Sequence, residues 1–330
     1  MTSDLGGTVL LTDRAWPDDT IERQMLEDAG LRVVTGPPQA APAAEIEDLV
    51  RRHRPSAILT CWAPISAAAI SASASLRIVA RMGVGLDNID VPAATEHGVL
   101  VTNVPDYCVP EVSDHAVAFV LAWTRGLVAA DREVRAGHWN PSAAGLRRLS
   151  ALTCGVVGLG RIGRATATKL RALGTHVIAA TPESLPDTDI EIVALDELLA
   201  ASDVVVLHAP LTPQTRHLIG AREFALMRPG ALLVNPSRGG LVDTNALIAA
   251  LHSGQLGGAG LDVLEDEPSV PPGLLDHPAV VITPHIAFSS DASVVELRRS
   301  AAAEVIRVLR GEPPRHPQNH PSAISQGAPQ

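Results

Sequence analysis

Three residue types suited to carboxylate and proton chemistry stand at the ends of successive apolar runs late in the sequence. Arg238 follows ALLVN in NPSRGG, Glu267 lies in GLDVLEDEP together with Asp262, and His285 lies in TPHI. A guanidinium grips a carboxylate through two parallel N–H donors, a rigid fork that lysine lacks. An imidazole gives or takes a proton near neutral pH. A neighbouring carboxylate fixes one tautomer and favours the imidazolium. Each residue alone has an ordinary reading. A strand-end arginine is commonly a surface ion pair, a lone histidine is commonly structural, and Glu265-Asp266-Glu267 could be a solvated acidic loop.

The upstream context favours the joint reading. Residues 154–163 read CGVVGLGRIG, a short apolar strand running into Gly158, Gly160 and Gly163, with a helical stretch over 164–173. This is the strand–turn–helix setting of a dinucleotide fingerprint. Gly158 permits the tight turn, and Gly160 lets backbone amides approach a pyrophosphate. Gly163 lets the helix pack close to its strand, with the positive helix end facing the phosphates. An arginine, a carboxylate and a histidine beside a nicotinamide suit hydride transfer to a 2-oxo acid. Arg238 would bind the carboxylate, His285 would supply the proton, and Glu267 would hold the imidazole. Asp262 could orient the nicotinamide amide.

Two alternating strand–helix sets must position these groups. In the first, strands are expected at 8–11, 32–35, 57–61, 78–81 and 99–103, with helices near 19–29, 43–52 and 66–72. One long helix is expected over 111–136, from Val112, Ala116, Phe119, Val120, Trp123 and Leu127 at helical spacing. The second set has strands at 155–158, 176–180, 204–208, 232–235, 258–263 and 280–283. Its helices fall near 195–201, 221–227 and 244–253, and a final helix spans 292–310. The alternation argues for an α/β protein with parallel sheets covered by helices on both faces. The Pro- and Gly-rich tail after Gly311 is expected to be disordered at its end.

The 330 residues are 46% hydrophobic, enough for two cores. The net charge of -10 and the absence of a dense basic patch argue against a nucleic-acid partner; Arg51, Arg52 and Arg54 read as a solvated helix end. Cys61, Cys108 and Cys154 are widely spaced with no CxxC, which suits buried, reduced thiols in a cytoplasmic protein. No run reaches the roughly 18 apolar residues of a membrane span, and the N-terminus does not read as a signal peptide. No metal site is expected, since neither HExxH nor a Cys/His ligand cluster occurs.

At these residues the sequence resembles the D-isomer-specific 2-hydroxy acid dehydrogenase family. The segments that carry the resemblance are RMGVGLDNID (81–90), VTNVP (101–105), CGVVGLGRIGR, HAPLTPQTRHLIG (208–220), NPSRGGLVD (235–243), GAGLDVLEDEP (258–268) and TPHIAFSS (283–290). The resemblance implies that Arg238, Glu267 and His285 form the catalytic trio. It implies that Val84 and Gly85 offer backbone amides to the substrate carboxylate. It further implies that Arg161, Ile162, His208, Pro210, Thr215 and Asp262 line the cofactor. The implied fold has two Rossmann-like or flavodoxin-like domains. A discontinuous outer substrate domain takes residues 1–105 and 285–330, and an inserted dinucleotide-binding domain takes 106–284. A homodimer formed through the coenzyme domain is also implied, in keeping with the 111–136 helix.

Departures from the family pattern matter as well. Thr181 stands where the second coenzyme strand should end in an acid for the ribose hydroxyls, about 20 residues past the fingerprint. The expected cofactor is therefore NAD with room for NADP. Asp106 and Ala151 stand where many members have glycine. Thr60 replaces a basic residue that some phosphoglycerate dehydrogenases use on phosphate, which leaves Arg81 as an anion contact, and the C-terminal regulatory extension of those enzymes has no counterpart. Trp62, Tyr107 and Phe288 are candidates to approach the substrate side chain. The same scaffold also serves phosphite or phosphonate oxidation and coenzyme-sensing corepressors. Glu267 argues against a formate dehydrogenase, where glutamine pairs with the histidine.

Overall fold

The computed structural model describes residues 5–142, 145–182 and 188–321. The chain packs as two compact units, Met1–Tyr107 with Ser290–Gln330, and Cys108–Ser289. The crossings expected near Pro105 and Pro284 thus fall at Tyr107/Cys108 and Ser289/Ser290, which leaves His285 inside the second unit.

The first unit alternates β1 (Thr8–Leu11), α1 (Thr20–Asp28), β2 (Arg32–Thr35), α2 (Ala43–His53), β3 (Ala57–Thr60), α3 (Ala67–Ser71), β4 (Ile78–Arg81), α4 (Val91–Glu96) and β5 (Leu100–Thr102). The five strands form one parallel sheet in the order β2-β1-β3-β4-β5. The runs TVLL, AILT and IVAR are buried throughout, as expected for strands covered on both faces. Helix α4 has no counterpart among the expected elements. Its six residues VPAATE are too short to show a period, and Asp90 starts it by accepting the Ala93 N–H at 3.0 Å.

The second unit runs α5 (Val109–Thr124), α6 (Leu127–Arg135), β6 (Thr153–Val157), α7 (Arg161–Ala172), β7 (His176–Ala180), β8 (Glu191–Ile192), α8 (Leu195–Ala201), β9 (Val204–Leu207), α9 (Ala221–Leu226), β10 (Ala231–Asn235), α10 (Thr244–His252), β11 (Leu256–Leu261), α11 (Pro272–Leu275) and β12 (Val280–Ile282). Its parallel sheet has the order β12-β11-β10-β9-β6-β7-β8. Strand order reverses between β6 and β9, and ligands of such sheets bind beyond the carboxyl ends of the strands at that point. The expected single helix over 111–136 is two helices. Gly126, at φ 59, takes a left-handed turn between α5 and α6 that stops the helical ladder although apolar residues continue on both sides.

The closing helix α12 (Asp291–Leu309) returns to the first unit. Arg298 pins it to α1 through a 2.6 Å ion pair with Glu22, both side chains buried, and Trp16 donates its indole N–H to the same carboxylate at 2.9 Å. Removing either partner would strand a buried charge. The tail then docks on β5: Asn319 accepts the Val101 N–H at 2.8 Å and donates to the Val99 carbonyl at 2.9 Å. The tail is therefore anchored as far as Asn319, and its end, the part expected to be disordered, lies at 322–330, outside the described residues.

Candidate active site

Two glycines bring α7 against the edge of the sheet. Gly158 follows β6 at φ 93, and a Cβ there would stand 2.7 Å from the His208 carbonyl at the end of β9. A Cβ on Gly163 would collide with the Gly158 carbonyl oxygen. Gly160 at the N-cap of α7 is exposed, and a Cβ there would meet nothing within 4 Å. The space in front of the helix N-terminus is thus open, and the turn exposes backbone where a phosphate favours it. Arg161 and Ile162 form the first turn of α7, and Thr181 directly follows β7. His208 bonds Thr166 of α7 at 2.9 Å, and desolvation pushes its pKa down to about 3, so the ring is neutral. Thr215 donates its hydroxyl to the Pro210 carbonyl at 2.6 Å and accepts the Thr212 N–H at 2.8 Å, closing the loop after β9.

The turn after β10 is built by Asn235. Its side chain accepts the Ser237 N–H at 3.1 Å and donates to the Arg238 carbonyl at 2.8 Å, and Ser237 reaches the Leu207 carbonyl at 2.7 Å. A Cβ on Gly239 would overlap the Leu264 carbonyl, so only glycine lets this turn lie against the segment that carries Glu267.

Glu267 and His285 form one unit. His285 Nδ1 is 2.8 Å from Glu267 Oε2, and Glu267 Oε1 accepts the Leu264 N–H at 3.0 Å. A carboxylate only accepts, so Nδ1 carries the hydrogen. Burial alone would raise the Glu267 pKa. The hydrogen bond and charge of His285, the Leu264 amide and the charge of Arg238 outweigh it and hold the carboxyl below its ordinary value. Arg238 is therefore close enough to act on the pair. The His285 and Glu267 side chains keep 25% and 37% of their surface, so a small molecule can reach them.

His285 has φ 53, a left-handed conformation that costs a non-glycine residue roughly 1–2 kcal/mol. Such a residue persists only where its surroundings over-determine it. Asp262 does this. Its side chain is 1% exposed, and its carboxylate accepts the Thr283 hydroxyl at 2.6 Å and the Ile286 and Ala287 N–H groups at 2.9 Å each. The His285 N–H meets the Asp262 carbonyl at 2.8 Å. The Asp262 carboxylate thus holds the loop that carries His285.

In the first unit, Val84 and Gly85 follow β4. Asn103 donates to the Val84 carbonyl at 2.7 Å, which turns the N–H of the same trans peptide, that of Gly85, the opposite way. Arg81 does not serve as an open anion contact. The residue is 6% exposed, and its guanidinium curls beneath Gly83 and donates to the Met82 carbonyl and to Asn88 at 3.2 Å. Thr60 is buried and bonds the Ala63 carbonyl at 3.0 Å. Tyr107 is buried, Trp62 is half-buried, and Phe288 lies 6.4 Å from the His285 ring, edge on.

The trio, Asp262 and the glycine turn share the second unit, and Val84 and Gly85 belong to the first. Sequence reasoning missed Asn235, Gly239, Thr283 and Asn103 as positioning residues. Gly239 and Thr283 lay in plain view beside Arg238 and His285. The three cysteines are buried. Among the described residues no cluster of His, Cys, Asp and Glu could hold a metal, and no helix is long and apolar enough to cross a membrane.

Residues 117–287 match the family model for the D-isomer specific 2-hydroxyacid dehydrogenase, NAD binding domain. The chain is 42% identical over 252 residues to a D-3-phosphoglycerate dehydrogenase of Mycobacterium leprae, covering 75% of this chain and 48% of that one. It thus spans about half the length of that relative. It is 41% identical over 250 residues to a glyoxylate reductase of Thermococcus litoralis, covering 72% of this chain and 76% of that protein. A solved NADPH-dependent glyoxylate/hydroxypyruvate reductase of Sinorhizobium meliloti, in complex with NADP and malonate, superposes with a TM-score of 0.84 at 30% identity, covering 94% of this chain and 96% of that one. The fingerprint turn, the paired parallel sheets and these matches agree, and the chain belongs to the D-isomer specific 2-hydroxyacid dehydrogenase family.

Proposed function

We propose that this protein interconverts a 2-oxo acid and a D-2-hydroxy acid with a nicotinamide coenzyme. The 2.8 Å pair between His285 Nδ1 and Glu267 carries the reading, because it fixes the imidazole with Nε2 as the nitrogen that meets the reacting oxygen. The open space before Gly160 and the close approach at Gly158 and Gly163 suit a pyrophosphate. Gly158, Gly160, Arg161, Ile162, Gly163, Thr181, His208, Pro210 and Thr215 would hold the coenzyme. When bound, it gives or accepts the hydride at nicotinamide C4.

Arg238 binds the substrate carboxylate, helped by the amides of Val84 and Gly85. His285 Nε2–H donates to the C2 oxygen as reduction proceeds and takes that proton back in the oxidation. Glu267 keeps the ring oriented and stabilises the imidazolium. Thr181 leaves no strand-end carboxylate to repel a 2′-phosphate, so both NADH and NADPH serve. A homodimer is part of this reading. Helix α6 buries none of its residues, Leu127 and Val134 are more than half exposed, and Trp139 is 86% exposed. The buried, widely spaced thiols suit a reducing cytoplasm.

The test is turnover of purified protein with either coenzyme and a panel of 2-oxo acids differing in side chain. It is followed at the nicotinamide absorbance, with product chirality determined and dimer mass checked by light scattering. Reduction of at least one acid to the D-product is expected. Tight coenzyme binding without turnover across the panel would reject the reading.

A further inference from the structure

We infer that His115, far from the trio in sequence, is a positioning residue for His285, acting through Thr283 and Asp262. The inference rests on the dehydrogenase reading for its consequence in catalysis, though not for its geometry.

Helix α5 lies against β11 because two glycines leave room for it. Cβ atoms on Gly258 and Gly260 would stand 3.0 Å from Trp123 and 2.6 Å from Phe119. One helical turn before Phe119, His115 packs edge-on against that ring, centroids 4.7 Å apart. Its Nε2 lies 2.9 Å from Thr283 Oγ1 and 3.7 Å from Asp262 Oδ1. Thr283 gives its single hydroxyl hydrogen to the Asp262 carboxylate at 2.6 Å, and a carboxylate cannot return one. Thr283 must therefore accept, and His115 donates from Nε2–H.

The result is a one-way chain of donors, His115 to Thr283 to Asp262. It ends on the carboxylate that also receives the Ile286 and Ala287 amides. Those amides follow His285, whose left-handed backbone they hold. The outer end of the chain is set by His115. Without that donor Thr283 can rotate its hydroxyl away, and Asp262 loses one of the contacts that place it under the loop.

Two variants separate positioning from bulk packing. His115→Phe keeps a ring against Phe119 and removes the donor, and His115→Gln keeps a donor near the Nε2 position. The expected result for His115→Phe is a fall of about tenfold in kcat/KM for 2-oxo acid reduction, the size of one lost hydrogen bond, with coenzyme Kd unchanged. Faster amide exchange at Ile286 and Ala287 is expected with it. His115→Gln should recover at least half of the wild-type value and of the amide protection. Wild-type kcat/KM and amide protection in His115→Phe would overturn the inference. So would equal loss in both variants accompanied by weaker coenzyme binding. Amide exchange is read on the protein alone, so a wild type without turnover would reject the dehydrogenase reading and still leave this inference decided by the exchange data.

Discussion

Two histidine–glutamate pairs meet one acidic turn of the second unit, and they differ in what stands behind them. His285 pairs with Glu267 at 2.8 Å, and His217 pairs with Glu265 at 2.6 Å. Both histidines are non-glycine residues at φ 53. Burial alone would raise both glutamates, and hydrogen bonds outweigh it and hold both below their ordinary value. Local geometry alone would not distinguish them. Behind His285 lies a buried carboxylate that binds its loop through two amides and a hydroxyl, and the charge of Arg238 bears on its glutamate. Glu265 also takes the Thr244 hydroxyl at 3.0 Å and an Arg216 contact at 3.6 Å, and the His217 side chain keeps 41% of its surface. The His217 pair ties loops together. An arginine stands near each glutamate, so what sets the His285 pair apart is the buried layer that holds its loop.

The largest effect should come from removing the charge behind the imidazole. Glu267→Gln keeps the size and an acceptor for Nδ1–H and withdraws the stabilisation of the imidazolium. We expect kcat/KM for reduction to fall by roughly 10²–10⁴, the usual worth of general acid–base catalysis, with coenzyme Kd unchanged. Activity within threefold of wild type would place the two pairs on equal footing and remove Glu267 from the mechanism. In the wild type the depressed Glu267 carboxyl stays ionised as pH falls past its ordinary value of 4.5. The stability contributed by this pair is therefore present above that value and lost only at lower pH.

Much of this arrangement was legible in the sequence because its parts are local. The apolar runs of β1, β4 and β7 end where the strands end, since strands buried on both faces need largely apolar residues. Strand β2 shows the limit of that rule, being only partly buried at the sheet edge. Arg238, Glu267 and His285 stood out as polar residues closing such runs. The break between α5 and α6 was hidden because helical spacing continues through Gly126, and only its positive φ stops the helix. The contacts by which Asp262 holds its loop were hidden for a different reason. A strand-end carboxylate looks the same in sequence whether it faces a ligand or holds a loop. The link from His115 to Thr283 spans 168 residues, and no pattern in either segment announces it.

A third histidine sharpens the contrast, because among the described residues no carboxylate pairs with it. His208 bonds only the Thr166 hydroxyl among the contacts seen, and burial takes its pKa from 6.5 to about 3. Between those values the unfolded chain binds a proton that the folded chain refuses, so stability falls as pH drops through that window, by about 1.4 kcal/mol per pH unit. From pH 7 to pH 5 the wild type should lose about 2 kcal/mol more than His208→Asn, measured by urea unfolding without coenzyme. Parallel losses in the two proteins would mean that His208 is accessible and ordinary.

The smallest effect should come from the second pair, and it is the sharpest check on the comparison. His217→Gly gives up an exposed ion pair, worth about 0–1 kcal/mol, and frees a left-handed position from a side chain that costs roughly 1–2 kcal/mol there. Added freedom in the unfolded chain offsets part of that gain. The terms nearly cancel, so the urea midpoint should barely move and kcat/KM should stay within about twofold of wild type. On the proposed reading, the same exchange at His285 removes the proton donor outright. A tenfold loss of kcat/KM in His217→Gly, with stability intact, would show that the loop it ties reaches the reacting groups after all.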